Sequence, residues 1–145
     1  MISALKGKNL EPLFKFIVEK LPESPPYYPK DALTDKPEKY FVEEIIREKI
    51  FLNYRQEIPY ASEIVVEAFK EDEKIIRIRA EIYVERQTQK VILIGKQGKA
   101  LKKVGIQARK DIEKFLGKHV YLELFVKIKE KWRDNPNYLR SFGYQ

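Results

Sequence analysis

The 145-residue chain has no cysteine, one histidine, one methionine and one tryptophan. Without cysteine, disulfides and thiolate metal sites are excluded, so packing must hold the fold, and a reducing cytoplasmic setting is compatible with that composition. With His119 as the sole histidine, neither a multi-histidine metal site nor a Ser-His-Asp triad can be assembled, and a surface place at the start of a strand is expected for it. No apolar run approaches the roughly 18 residues of a membrane span. The start "MISALKGKNLEPLF" also lacks the apolar core and small-residue cleavage site of a secretory leader, so a soluble protein is expected. No pair of carboxylates stands in a catalytic frame: the "EDE" run at Glu71 to Glu73 reads as a solvated turn. Glu43, Glu44 and Glu48 read as partners for ion pairs on one helix or as solvent contacts.

What the chain does have is basic charge in one place. Its formal net charge is +7, and residues 88–118 alone carry nine lysines and arginines against two acidic residues. A local excess of this kind concentrates polyanions, whereas a scattered one mainly aids solubility; a lysine-rich solvated helix face is the plainer alternative.

The remaining pattern gives the organisation. "KNLEPLFKFIVEKLP" places Leu10, Leu13, Phe14, Ile17 and Leu21 on one helical face, with Asn9 as N-cap. Five of the eight prolines (Pro22, Pro25, Pro26, Pro29 and Pro37) follow within sixteen residues, predicting an extended linker over 23–39 between a segment 1–22 and a unit 40–145. That unit opens with a helix over about 38–54 that uses Phe41, Ile45, Ile46, Lys49, Ile50 and Leu52, ended before Pro59. Two alternating strands follow. The first sets Ile64, Val66 and Ala68 against Glu63, Val65, Glu67 and Phe69; the second buries Ile76, Ile78, Ala80, Ile82 and Val84; "KEDEK" makes them a hairpin. "QTQKVILIG" fits a short helix or a strand. A long helix through Leu101, Val104, Ala108 and Ile112 then stops at Gly117, "HVYLELFVKIK" is a third strand, and a short helix occupies "NPNYLRSF" before Gly143.

Glycine is scarce, with six in the chain, yet two stand three residues apart in Gly95-Lys96-Gln97-Gly98, preceded by "VILI" and followed by "KALKKVG". This stretch and the order helix, strand, strand, helix, helix, strand, helix resemble a type II KH domain, an RNA-binding module whose two helices meet at a Gly-x-x-Gly loop. The implied fold is α+β, a three-stranded sheet packed by helices. Glycine lets the backbone take dihedrals barred to other residues and approach a sugar-phosphate chain closely. Gly98 opens the long helix, whose N-terminus favours phosphate, with Lys96 and Lys99 beside it and Lys102 and Lys103 one turn on. Ile92 and Ile94, with Leu101 and Val104, supply core contacts and the apolar floor of a base-reading groove. A helix–turn–helix corner with glycines for tight packing is the competing account of the same residues.

The whole chain further resembles the C-terminal part of the Era-type bacterial GTPases, through "FVEEIIREKI", "EIPY", "VERQTQKVILIGKQGKALKKVGIQARKDI", "VYLELFVKIKEKW" and "LRSFGY". "SALKG" at Ser3 to Gly7 resembles the last guanine-recognition loop of that family's G domain, which makes the helix over 9–21 a remnant of it. Neither Gly-x-x-x-x-Gly-Lys-Ser/Thr nor Asn-Lys-x-Asp occurs, so the chain is expected to be a non-enzymatic RNA-binding fragment without cofactor, GTP and magnesium belonging to the full G domain. The resemblance implies binding to the single-stranded 3′ end of small-subunit ribosomal RNA during ribosome assembly, with the small subunit and the chain's own G domain as partners. It also implies a cytoplasmic location with room for peripheral association at the inner membrane face. It points to "KIKEKWRDN" and "LRSFGY" for further pyrimidine-rich nucleotides. There Trp132 either stacks a base or packs, Arg140 either meets phosphate or sits on the surface, and Phe142 replaces the family's leucine. A basic protein-interaction or membrane-surface module is the alternative function.

Overall fold

The computed structural model describes residues 1–25 and 36–144; Pro26 and Pro29 of the expected linker lie outside the described residues. The chain forms two units, Met1–Asp35 and Lys36–Gln145.

In the first unit, Ser3 and Lys8 pair across a turn and lead into α1 (Leu10–Lys20). Asn9 does not cap it: the residue takes a left-handed conformation, φ 56°, and its side-chain amide donates to the Met1 carbonyl at 2.9 Å. The expected apolar face forms but buries nothing, and Phe14 is 69% exposed.

The second unit is α+β. Helix α2 (Glu38–Asn53) leads through a 3-10 turn at Pro59–Ala61 into β1 (Glu63–Glu71) and β2 (Ile75–Val84), an antiparallel hairpin closed where the Asp72 N–H meets the Ile75 carbonyl. Then come α3 (Gln87–Ile94), α4 (Lys99–Leu116), β3 (His119–Ile128) and, after a 3-10 turn at Trp132–Asp134, α5 (Pro136–Ser141). The sheet order is β1-β2-β3, with β3 parallel to β2 in the register Ile76–Val120, Ile78–Leu122, Ala80–Leu124, Ile82–Val126. Parallel neighbours need a crossover. Within that crossover "QTQKVILIG" takes the helical alternative, and the side-chain oxygen of Gln89 fixes its start by accepting the N–H groups of Glu85 and Arg86, each at 3.0 Å.

One face of the sheet meets α2 and α4 in a core of Val42, Ile46, Ile50, Ile78, Ile82, Val104, Ala108 and Ile112, all but closed to solvent. The first helix of this unit buries Ile46, Lys49 and Ile50 of the expected face and half-buries Phe41 and Ile45, but it adds Val42 to the core and leaves Leu52 70% exposed. In β1 the strict alternation fails at a bulge between Val66 and Ala68, where the partner register shifts from Ala80 to Arg79. One extra residue turns the pleat over. Phe69, opposite Ile78, thus joins the core in place of Ala68. The Glu43 carboxylate holds the kink by accepting the Val66 N–H at 2.7 Å. Burial pushes the Glu43 carboxyl above its ordinary pKa, with that N–H opposing.

Most acidic residues on this scaffold serve as ties. Arg47 bridges Glu44 at 2.9 Å and the buried Glu63 at 2.8 Å, and Lys49 joins Asp111 of α4 to α2. The Tyr144 hydroxyl donates to Glu63 at 2.6 Å, bringing the chain's end back to β1.

Candidate nucleic-acid interface

The Gly-x-x-Gly segment is the hinge between α3 and α4. Gly95 ends α3 at φ 70°, ψ 179°, a region glycine alone enters freely, and a Cβ there would stand 2.6 Å from the Ala100 Cβ. Lys96, Gln97 and Gly98 then make one 3-10 turn in which Gln97 (φ 53°) and Gly98 (φ 74°) are left-handed. A left-handed non-glycine residue costs about 1 kcal/mol or more and is characteristic of ligand clamps. The end of α3 that leads into the loop is anchored, because the Tyr54 hydroxyl donates to the Leu93 carbonyl at 2.6 Å and Leu93 is fully buried. Burial pushes the Tyr54 hydroxyl up to about 12.

Gly98 is the N-cap of α4, an 18-residue helix, and it offers no side-chain acceptor to the helix N-terminus. Backbone N–H groups and the positive end of the dipole therefore face outward at a point where anions are favoured. Lys96, Lys99, Lys102 and Lys103 stand exposed around it. Among the described residues these four and Arg109 have no carboxylate within 4.0 Å, while Arg47, Lys49, Lys118, Lys127 and Arg133 are all ion-paired. Other exposed basic residues, Lys110 and Lys114 among them, also lack such a partner among the described residues, so what marks this set is its place around the turn.

From Gly98 a groove of about 390 Å³ runs between α4 and β3, lined by Gly98, Leu101, Lys102, Gly105, Ile106, Arg109, Leu122 and Leu124. Its floor is apolar because Leu122 and Leu124 alternate toward α4 and because Gly105 presents no side chain; a Cβ there would touch the Leu124 Cδ1 at 3.5 Å. Its rim is basic. β3 is also an edge strand, so unpaired backbone donors and acceptors border the groove.

Of the sequence-predicted residues, Gly98, Leu101 and Lys102 line the groove; Gly95, Lys96, Gln97 and Lys99 belong to the turn at its head, and Lys103 stands exposed on the next turn. Ile92 is 50% exposed on α3 beside the loop, and Ile94 is half-buried against the core. Val104 is wholly core and supplies no floor. Trp132 takes the packing alternative. It is 3% exposed, meets Phe142 edge-on at a centroid distance of 5.5 Å, and leaves no ring face for a base. Its Nε1–H is buried without a hydrogen-bond partner among the described residues. Arg140 is exposed on α5, apart from the groove lining. The reading of the sequence missed Gly105, Ile106, Arg109, Leu122 and Leu124. The available signal was Gly105, since a glycine inside a helix costs roughly 1 kcal/mol against alanine and marks a place where a side chain is unwanted.

A family model described as a KH domain matches residues 57–133. GTPase Era of Geotalea daltonii is 48% identical over 145 residues, covering 99% of this chain and 49% of that protein. GTPase Era of Syntrophus aciditrophicus is 50% identical over 145 residues, covering 99% of this chain and 47% of that protein. A crystal structure of Era in complex with MgGDPNP and nucleotides 1506–1542 of 16S ribosomal RNA matches with a TM-score of 0.92 at 43% identity, over 99% of this chain and 48% of that one. The chain spans about half the length of the relatives it matches. It belongs to the KH domain family, and it is similar to that part of GTPase Era which carries the KH domain.

Proposed function

We propose that this chain binds single-stranded RNA at the 3′ end of small-subunit ribosomal RNA, as the RNA-binding part of an Era-type GTPase acting in the cytoplasm in ribosome assembly. The observation that carries the reading is the set of lysines without carboxylate partners around the Gly95–Gly98 turn, at the head of an apolar-floored groove. The complex of Era with 16S ribosomal RNA supports the choice of RNA. In this reading the turn and the N-terminus of α4 hold the sugar-phosphate backbone, Lys96 and Lys99 neutralise it, and Lys102, Lys103 and Arg109 continue the contact. Bases lie on Leu101, Gly105, Leu122 and Leu124 with their edges toward the open backbone of β3. Arg140 contributes a phosphate contact from α5.

A membrane surface met by lysines alone would need no such floor, which favours RNA over it. Among the described residues no helix is long and apolar enough to cross a membrane. Neither Gly-x-x-x-x-Gly-Lys-Ser/Thr nor Asn-Lys-x-Asp occurs in the sequence, so the residues present do not fit GTP and magnesium and no nucleotide step is assigned to them. Residues 1–22 are assigned to the G domain, which would cover the apolar face of α1.

Fluorescence anisotropy of a labelled RNA matching the small-subunit 3′ end, against a scrambled RNA of equal length across salt concentrations, tests the proposal. Tighter binding to the native sequence that persists at higher salt is expected. Equal and steeply salt-dependent binding to both would reduce the site to a nonspecific polyanion surface.

A further inference from the structure

The sheet has a second face, turned away from α2 and α4. At one end α5 covers it, with Phe142 against Tyr83 at a centroid distance of 5.4 Å and Lys129 held among Tyr83, Tyr138 and Phe142. At the other end it is open, and there two stacked pairs cross from β2 to β3. The Arg77 guanidinium lies over the Tyr121 ring at 6.0 Å and the Arg79 guanidinium over the Phe125 ring at 4.5 Å. Both rings are exposed, Tyr121 at 50% and Phe125 at 39%. Each arginine covers its ring from the β2 side. Since β3 is the edge strand, no strand covers the other side of either ring among the described residues.

Strand β3 also forms one wall of the groove, through Leu122 and Leu124, so alternate residues of a single strand serve the two faces. Helix α4 and β3 run antiparallel through the Gly117 turn, and Gly105 lies against Leu124. The end of the groove farthest from the Gly-x-x-Gly turn is therefore the Arg109 and Leu122 end, next in sequence to Tyr121. A polynucleotide following the groove away from the turn reaches the free edge of β3 beside the first stacked pair.

We propose that the RNA path continues over this edge, with Tyr121 and Phe125 as stacking posts for unpaired nucleotides and Arg77 and Arg79 as their guanidinium backing and phosphate contacts. The proposal rests on the RNA reading of the groove. Its chemistry is that of sequence-tolerant single-strand binding, in which aromatic faces take bases of any kind and arginine adds cation–π and backbone contacts. Among the described residues Arg77 has only an exposed partner, Asp72 at 3.4 Å, and Arg79 only a long contact of 3.9 Å to Glu81, whose carboxylate is engaged by Lys127 at 2.6 Å. Both guanidiniums are thus available to phosphate. Glu123, opposite Arg79 in the register, stands between the two rings and spaces the posts by about 13 Å, four residues of strand.

The test uses the full chain with two RNAs: one of about four nucleotides, the length a Gly-x-x-Gly turn clamps, and the same sequence extended at either end by about four more. On the unaltered protein one extension should add affinity. Combined Tyr121→Leu and Phe125→Leu, which keep aliphatic cover on the sheet, should remove that gain by about fivefold or more while leaving the short RNA and the melting temperature unchanged. Arg77→Gln with Arg79→Gln should lower the salt dependence of the long RNA alone. A gain that survives the leucine variants, an extension that adds nothing, or equal loss for both RNAs overturns the proposal. Failure of the unaltered protein to bind either RNA would instead overturn the groove reading and take this one with it.

Discussion

Gly95 and Gly98 lie three residues apart with nearly the same φ, 70° and 74°, and do different work. At Gly95 the space is full: a Cβ would press on the side chain and backbone of Ala100. At Gly98 no atom stands within 4 Å of a Cβ, and the residue opens onto the groove. The first glycine closes the turn between two helices; the second leaves room for a ligand. This Gly-x-x-Gly sequence therefore holds an architectural half and an open half, and a substitution at one should not mimic a substitution at the other.

The largest effect is expected at the architectural half. Gly95→Ala adds a methyl group in a backbone region reserved for glycine and against Ala100, so a stability loss of about 3 kcal/mol is expected in chemical denaturation. Should it leave stability untouched and abolish RNA binding, the division between the two glycines fails. Gly98→Asp meets open space in a left-handed conformation that aspartate tolerates, so the domain should stay folded at a cost of about 1 kcal/mol. Its carboxylate beside the phosphate position should weaken RNA binding about tenfold or more, read by anisotropy. An unchanged affinity in the folded variant would sink the groove account.

Gly105→Ala sharpens the same contrast inside α4. Helix propensity should raise stability by about 0.5–1 kcal/mol, while the new methyl against Leu124 narrows the floor and weakens RNA binding severalfold. A thermal melt and a titration on one sample separate the two signs.

The smallest effect distinguishes paired from open charge. Arg133 holds the Glu85 carboxyl below its usual range; the Glu81 carboxyl, despite burial, is held below it by Lys127 and Tyr83. A carboxyl with a depressed folded pKa contributes stability that is complete above its ordinary value of about 4.5 and is lost as pH falls through the folded value. Stability should thus decline below about pH 4.5, and Glu81→Gln should flatten that decline. Lys96→Ala should leave the acid profile unchanged and instead lower the salt slope of RNA binding by about one.

The loop and its lysines were legible in the sequence because glycines and charge are local signals. So were the strands of the sheet, whose alternation is a period of two. The groove's far wall was not. Leu122 and Leu124 belong to a strand whose inward face reads as ordinary core, and only the antiparallel return of β3 beside α4 leaves them facing a channel. Arg109 was one basic residue among nine in its segment until the fold set it on the groove rim. The bulge in β1 was equally hidden, since Ala68 and Phe69 are both apolar and alternation alone cannot choose between them. Trp132 shows the opposite case: a residue type suited to stacking, placed by the packing of Phe142 where no base can reach it.

The central claim is that the turn and the groove form one RNA site. The most direct measurement is an amide chemical-shift titration of isotope-labelled protein with RNA matching the small-subunit 3′ end. Shifts that saturate together at Gly95 to Lys99, Gly105, Arg109 and Leu122 to Leu124 are the predicted result. Shifts scattered over the basic residues of the whole chain, with Gly105 and Leu124 unmoved, would contradict it.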